Sequence, residues 1–210
     1  MSYLKSPQGI ERRSFEIIRE ELGPRSWSRE EERIITRIIH TTADFSFAEA
    51  TEISPGAVES AMKALREGAR LVTDTNMARA GINKTALERF GGKVSCCMAW
   101  QRVARLAAER GTTRAAVSMR LAAKDRRNRI YVIGNAPTAL FELKAMIEEG
   151  ITRPDLVIGV PVGFVGAMES KEAIREAGVP YIVTRGRRGG SSVAAAIVNA
   201  LLYLAGEDHA

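Results

Sequence analysis

The chain has 210 residues, with 31 Lys and Arg against 25 Asp and Glu, a formal net charge of +6 and a pI near 9.6. Its 45% hydrophobic and 27% charged residues are those of a globular domain, which excludes disorder, collagen and coiled coil as whole-chain descriptions, and its length suits one domain able to bury a core. The longest apolar stretches, such as 193–198, fall short of the ~18 residues of a membrane span, Met1 to Lys5 lack a signal-type apolar region, and Cys96-Cys97 with His40 and His209 offer neither a disulfide framework nor metal-ligand spacing, so the expectation is a cytoplasmic protein with no membrane segment and no structural metal.

The first third reads as helical. Ile10, Ile17, Ile18 and Leu22 place an apolar stripe on a helix over 10–22. Ser28 stands three residues before Glu31 in capping-box spacing, and Ile34, Ile35, Ile38 and Ile39 continue as one helical face ending near His40. Ser54-Pro55 predicts another helix start, with Val58, Met62 and Leu65 on its inner face and Gly68 closing it. From residue 70 the period changes. Short β-branched runs at 70–74, 93–98, 130–133, 156–160 and 181–184 alternate with helical stretches at 138–149, 170–177 and 191–204, the pattern of βαβ units. Ile130 to Ile133 and Leu156 to Val160 are apolar on both sides of the pleat, which predicts a mostly parallel sheet covered by helices on both faces. The expected architecture is one α/β domain over 1–210, with a helical N-terminal part over about 8–69 and a βα part over about 70–206.

In an open parallel sheet ligands bind at the carboxyl ends of the strands, so the segments after each run form the candidate site. The strongest is Arg185-Gly186-Arg187-Arg188-Gly189-Gly190-Ser191-Ser192. Its glycines allow close backbone approach, Ser191 and Ser192 stand where they can cap the next helix, whose amides favour an anion, and three arginines add charge. It is neither a G-x-x-x-x-G-K-[ST] loop nor a G-x-G-x-x-G opening. Taken alone, Gly134 to Thr138 reads as a structural turn with Asn135 or Thr138 as caps, Glu169-Ser170-Lys171 as a helix start, and Cys96-Cys97 as core packing in an apolar strand. His40 is the only histidine outside the tail, where His209 is expected to fray. It sits at the C-terminal end of its helix, where the negative end of the dipole favours a proton-donating imidazolium, and Arg37 at i−3 on the same face is placed to grip a carboxylate. A lone histidine at a helix end is more often structural, and that alternative stands beside the catalytic one.

The cations are mostly interleaved with acids, as on solvated helix faces; the exceptions are 124–129 and 185–190. Neither cluster interleaves aromatics and no helix-turn-helix or ribonucleoprotein motif occurs, so nucleic acid is not an expected partner. The competing functions are a transferase holding a nucleotide-like anion at 185–192 and an RNA-binding protein using 124–129.

Together, Ile133-Gly134-Asn135-Ala136-Pro137-Thr138-Ala139-Leu140, the run Gly159 to Val165 followed by Glu169-Ser170-Lys171, and Arg185 to Ser191 resemble the signature segments of the precorrin-8X methylmutase family of the cobalamin pathway. Arg12-Arg13-Ser14-Phe15, the Arg37-x-x-His40 pair and Thr73-Asp74-Thr75-Asn76-Met77 extend the resemblance over essentially the whole chain. The resemblance implies a homodimeric α/β isomerase that moves a methyl group from C-11 to C-12 of a ring-contracted polycarboxylate tetrapyrrole, forming a hydrogenobyrinic or cobyrinic acid skeleton. No added cofactor is implied, and any cobalt belongs to the substrate. The proton donor and acceptor falls on His40 and substrate contacts on Ser14 and Arg37, and the same segments extend the expected substrate-binding set to Thr73, Asp74, Asn135, Thr138, Gly163, Lys171, Arg185, Arg187, Arg188 and Ser191. His40 to Phe45 and residues 73–81 resemble the cobalt-precorrin-8 branch more than the metal-free one. Cys96 to Arg102 departs from the family pattern, where a more acidic stretch is expected.

Overall fold

The computed structural model describes residues 6–207; the expectations for Met1 to Lys5 and for His209 lie outside them. The N-terminal part comprises α1 (Pro7–Leu22), α2 (Arg29–Thr42), the single turn α3 (Phe47–Ala50), the short strand β1 (Thr51–Ile53) and α4 (Ala57–Arg66). Next come β2 (Arg70–Thr73), α5 (Asn76–Gly81), α6 (Lys84–Arg89), β3 (Val94–Ser95), α7 (Gln101–Glu109) and α8 (Arg114–Ala122). The chain then alternates as β4 (Asn128–Ile133), α9 (Pro137–Glu148), β5 (Leu156–Gly159), α10 (Ala167–Arg175), β6 (Tyr181–Thr184) and α11 (Ser191–Glu207).

The capping box forms as its spacing predicts: Glu31 N–H donates to Ser28 Oγ at 3.1 Å, and Ser28 N–H donates to Glu31 Oε2 at 2.8 Å. The Ser54-Pro55 helix start does not. The helix begins at Ala57, behind Gly56 at φ 75°, because Ser54 is committed to the sheet edge. Its N–H donates to Tyr181 O at 3.0 Å and its hydroxyl accepts from Tyr181 N–H at 2.9 Å, continuing the antiparallel pairing of β1 with β6.

The sheet order is β1-β6-β5-β4-β2-β3, and all pairs but β1–β6 are parallel. Successive strand residues point to opposite faces and divide the interior into two cores. Leu71, Ile130, Val132, Leu156, Ile158 and Ile182 pack on the side of α2, α4 and α11, whereas Val72, Tyr131, Ile133, Val157 and Val183 pack on the side of α8, α9 and α10. This is the expected two-sided coverage, and it explains why α11, lying between the sheet and α2, is apolar nearly all round. The helical N-terminal part also lends the sheet one short strand, β1, and one expectation is corrected: Cys96 and Cys97 lie just beyond β3 rather than in it. Both cysteines are nonetheless buried, Cys97 against Val103, Ala107 and Val117.

Strand β2 pairs with β3 on one side and β4 on the other, so the chains leaving β2 and β4 diverge to opposite faces. That divergence is a topological switch point, the usual place for a ligand in such a sheet.

Candidate active site

The β2–β4 switch point is closed by a carboxylate. Asp74, fully buried after β2, accepts hydrogen bonds from the backbone N–H groups of Gly134 (2.9 Å), Asn135 (2.8 Å) and Ala136 (2.7 Å). Burial pushes the Asp74 carboxyl above its ordinary value, and the three N–H bonds oppose that shift. These amides lead into α9, which has no side-chain cap of its own, so Asp74 sets negative charge at the positive end of that helix. Asn135 and Thr138, expected as caps, are not used so; the Thr138 hydroxyl pairs with that of Thr113 at 2.8 Å. Gly134 is required here because a Cβ would lie 2.7 Å from Ser191 Cα. Beside it, Thr75 Oγ1 and Ser191 Oγ are 2.8 Å apart, tying the start of α11 to the end of β2.

The arginine loop after β6 is held from beneath. Lys171 of α10, 1% exposed, donates from Nζ to the carbonyls of Gly186 (2.9 Å) and Arg188 (2.7 Å), and the Thr184 hydroxyl donates to Arg188 O at 2.7 Å. Gly163 N–H donates to Arg187 O at 3.1 Å and Gly190 N–H to Val160 O at 2.9 Å, and a Cβ on Gly189 would lie 2.0 Å from the Val160 oxygen. The loops after β5 and β6 therefore pack backbone to backbone.

Burial pulls the Lys171 ammonium down to about 8. An unfolded lysine titrates near ~10.4. Between these values the unfolded chain holds more protons, so this group's contribution to native stability rises with pH, while the loop loses the charge that strengthens its two carbonyl bonds. Anion binding on the loop is expected to weaken as pH rises through about 8. Lys171→Met should bind weakly throughout, without that step; affinity titrations on both sides of the transition check this, and a step surviving in Lys171→Met overturns it.

The three loop guanidiniums have different partners. Arg185 pairs with Glu52 of β1 at 2.8 Å. Burial pushes Glu52 up, but hydrogen bonds from Tyr181, Arg175 and Arg185 outweigh it and hold the carboxyl below its usual range. Arg188 pairs with Asp44 and the Ser46 hydroxyl, and the hydroxyl and N–H of Ser46 hold Asp44 below the usual carboxylate range. Arg187 has no carboxylate partner among the described residues; its guanidinium lies 5.1 Å from the ring centroid of Phe164.

Helix α2 carries the histidine. His40, two residues from its end, is exposed, and its ring lies 5.0 Å from that of Phe15 on α1 at a tilt of 52°. Arg37 lies 4.8 Å from the Phe15 ring and 5.1 Å from the Tyr203 ring of α11, with Nη1 2.5 Å from Glu11. Ser14 donates to the Ile10 carbonyl at 2.9 Å inside α1. Past α2, Ala43 takes a left-handed conformation (φ 52°) and the next residue, Asp44, meets Arg188, which joins the histidine end of the helix to the arginine loop.

A family model described as precorrin-8X methylmutase matches residues 9–204, a span that holds all of these loops. The chain belongs to the precorrin-8X methylmutase family. The cobalt-precorrin-8 methylmutase of Salmonella typhimurium is 47% identical over 209 residues, covering 97% of this chain and 98% of that protein. That of Priestia megaterium is 45% identical over 199 residues, covering 95% and 88%. The solved precorrin-8X methyl mutase of Thermus thermophilus matches with a TM-score of 0.89 at 41% identity, covering 96% of this chain and 97% of that one.

On this methylmutase fold, Arg37, His40, Asn135, Gly163, Arg185, Arg187 and Arg188 reach the surface at the end of α2 and the carboxyl edge of the sheet, with Ser14 and Thr138 half-buried beside them. Thr73, Asp74 and Lys171 are buried and Ser191 nearly so, with their polar atoms bonded to the protein; Thr73 Oγ1, for one, donates to Thr75 O at 2.9 Å. The structure sets these four inside, bracing the loops. Glu11, Asp44, Glu52 and Tyr203 carry no sequence signal, since each gains its role from an element far along the chain. Exposed Phe164, between Gly163 and Gly166, was a readable signal. Among the described residues no group of three or more His, Cys, Asp or Glu side chains is gathered as for a metal, and no helix is long and apolar enough to cross a membrane.

Proposed function

We propose that this protein is an isomerase that moves the C-11 methyl group of precorrin-8X or cobalt-precorrin-8 to C-12, with His40 as proton donor and acceptor. The observation that carries the histidine step is that the one imidazole among the described residues is exposed at the end of α2, one turn from Arg37 and joined to the arginine loop through Asp44 and Arg188. Arg37 and Arg187 receive carboxylates of the tetrapyrrole and fix the ring against His40. The imidazolium gives its proton to the conjugated system, the methyl migrates within the substrate, and the proton returns to the imidazole. Atoms balance without an added cofactor, and cobalt, where present, is part of the substrate. The names of the Salmonella and Priestia relatives favour the cobalt form. Phe164 and Val165, 81% and 90% exposed, support a homodimer, and the free thiols of Cys96 and Cys97 suit the cytoplasm.

Incubation with each tetrapyrrole, followed through the corrin absorption, is expected to show conversion, faster with the cobalt form; no conversion of either overturns the proposal. Arg187→Ala is expected to weaken binding by about 1.5–3 kcal/mol with little change in single-turnover rate, because a contact remote from the migrating methyl is made alike in ground and transition states. Arg188→Ala removes a side chain already paired with Asp44 and should cost less affinity. Unequal affinities in the reverse order would show that the Asp44 pair opens to receive the substrate.

A further inference from the structure

Along α2, Arg29, Arg33 and Arg37 stand at i, i+4 and i+8 and share one face of the helix. That face, with α1 and α11, borders a cleft of about 420 Å³ that also takes in Arg19, Thr36 and Tyr203. Among the described residues, four guanidiniums here meet three carboxylates. Arg19 pairs with Glu32 at 2.9 Å, Arg37 with Glu11 at 2.5 Å, and Arg29 and Arg33 share Glu207. Counted over the described residues, the cleft is one negative charge short of balance. Thr36 supplies an independent sign of the same kind: it is 2% exposed, lines the cleft, and its Oγ1 has no hydrogen-bond partner among the described residues. Such a buried hydroxyl costs stability in the empty protein and recovers it only when an acceptor arrives.

We propose that this cleft is a subsite for one carboxylate-bearing side chain of the substrate, with Thr36 Oγ1 donating to the carboxylate and Arg33 supplying the compensating charge. The proposal rests on the tetrapyrrole function above. Thr36 precedes His40 by one helical turn, about 6 Å along the axis, so an acid arm in the cleft and a ring over the imidazole belong to one molecule. The Phe15 ring touches both His40 and Arg37 and forms the wall between ring site and cleft. The subsite fixes the rotation of the macrocycle over His40, since only one peripheral arm can enter it in a given orientation.

The test compares the wild-type protein with Thr36→Val, which keeps the shape and removes the hydroxyl, and with Thr36→Ser, which restores it. The probe is the corrin product, with binding read by absorption titration and free-protein stability by thermal unfolding. The expected result is product affinity at least about tenfold weaker in Thr36→Val and recovered in Thr36→Ser, with the free Thr36→Val protein as stable as wild type or more so. Arg33→Met should weaken binding as well. Equal affinity in wild type and Thr36→Val overturns the subsite and leaves the tetrapyrrole function standing. Failure of the product to bind even wild type removes that function and the subsite together.

Discussion

His40→Ala is expected to lower turnover by about 10²–10⁴, the size of a general acid–base contribution, while leaving fold and substrate affinity in place. The side chain is exposed and touches Phe15, so its removal opens no cavity in the core packed behind α2. A histidine with a structural role gives the opposite pattern, a loss of about 1–3 kcal/mol in stability with the activity of the folded fraction preserved. Near-normal turnover in a well-folded His40→Ala protein ends the proposal that this residue moves the proton, and thermal unfolding, product titration and single-turnover kinetics on one preparation separate the cases.

Asp74→Ala should be the most destabilising change in the site. It removes the acceptor of three backbone N–H groups, of which that of Gly134 is wholly buried, and it strips the carboxylate bonded at the start of α9. Leaving a buried donor unpaired costs about 1–3 kcal/mol, and with the two flanking amides partly exposed to water the sum is on the order of 2–4 kcal/mol. For a chain of this length that corresponds to a fall in Tm of roughly 5–15 °C. Asp74→Asn, which keeps one oxygen acceptor, should lose less. Had the carboxylate faced the substrate, as its place at a strand end suggests, Asp74→Ala would lower affinity and spare Tm; that outcome would overturn its role as a clamp between β2 and β4.

The division between what the sequence determined and what only the tertiary structure decided follows the range of the interactions. Local chemistry specifies α2, because the Ser28–Glu31 box and the Ile34, Ile35, Ile38, Ile39 stripe lie within a few turns of each other, and it specifies β4 and β5, whose continuous apolar runs need burial on both sides, and β6 through its β-branched run. The resemblance carried by the loops after those strands led to the family in the same way, through contiguous motifs. Strand β1 was invisible, since three residues hold too little of a period-2 pattern and its partner β6 lies some 130 positions later. Ser54 was misjudged for the same reason, its hydroxyl being claimed by Tyr181 rather than by its own helix. At the site, the residue types were legible and their orientations were not. Arg185, Arg187 and Arg188 are alike in sequence, yet Glu52 and Asp44 engage two of them and leave Arg187 with an aromatic ring as its partner. Thr73, Asp74, Lys171 and Ser191 sit in segments that read as ligand contacts, but the close approach of the β2, β4, β5 and β6 loops turns them inward, where buried N–H and C=O groups must find partners within the protein.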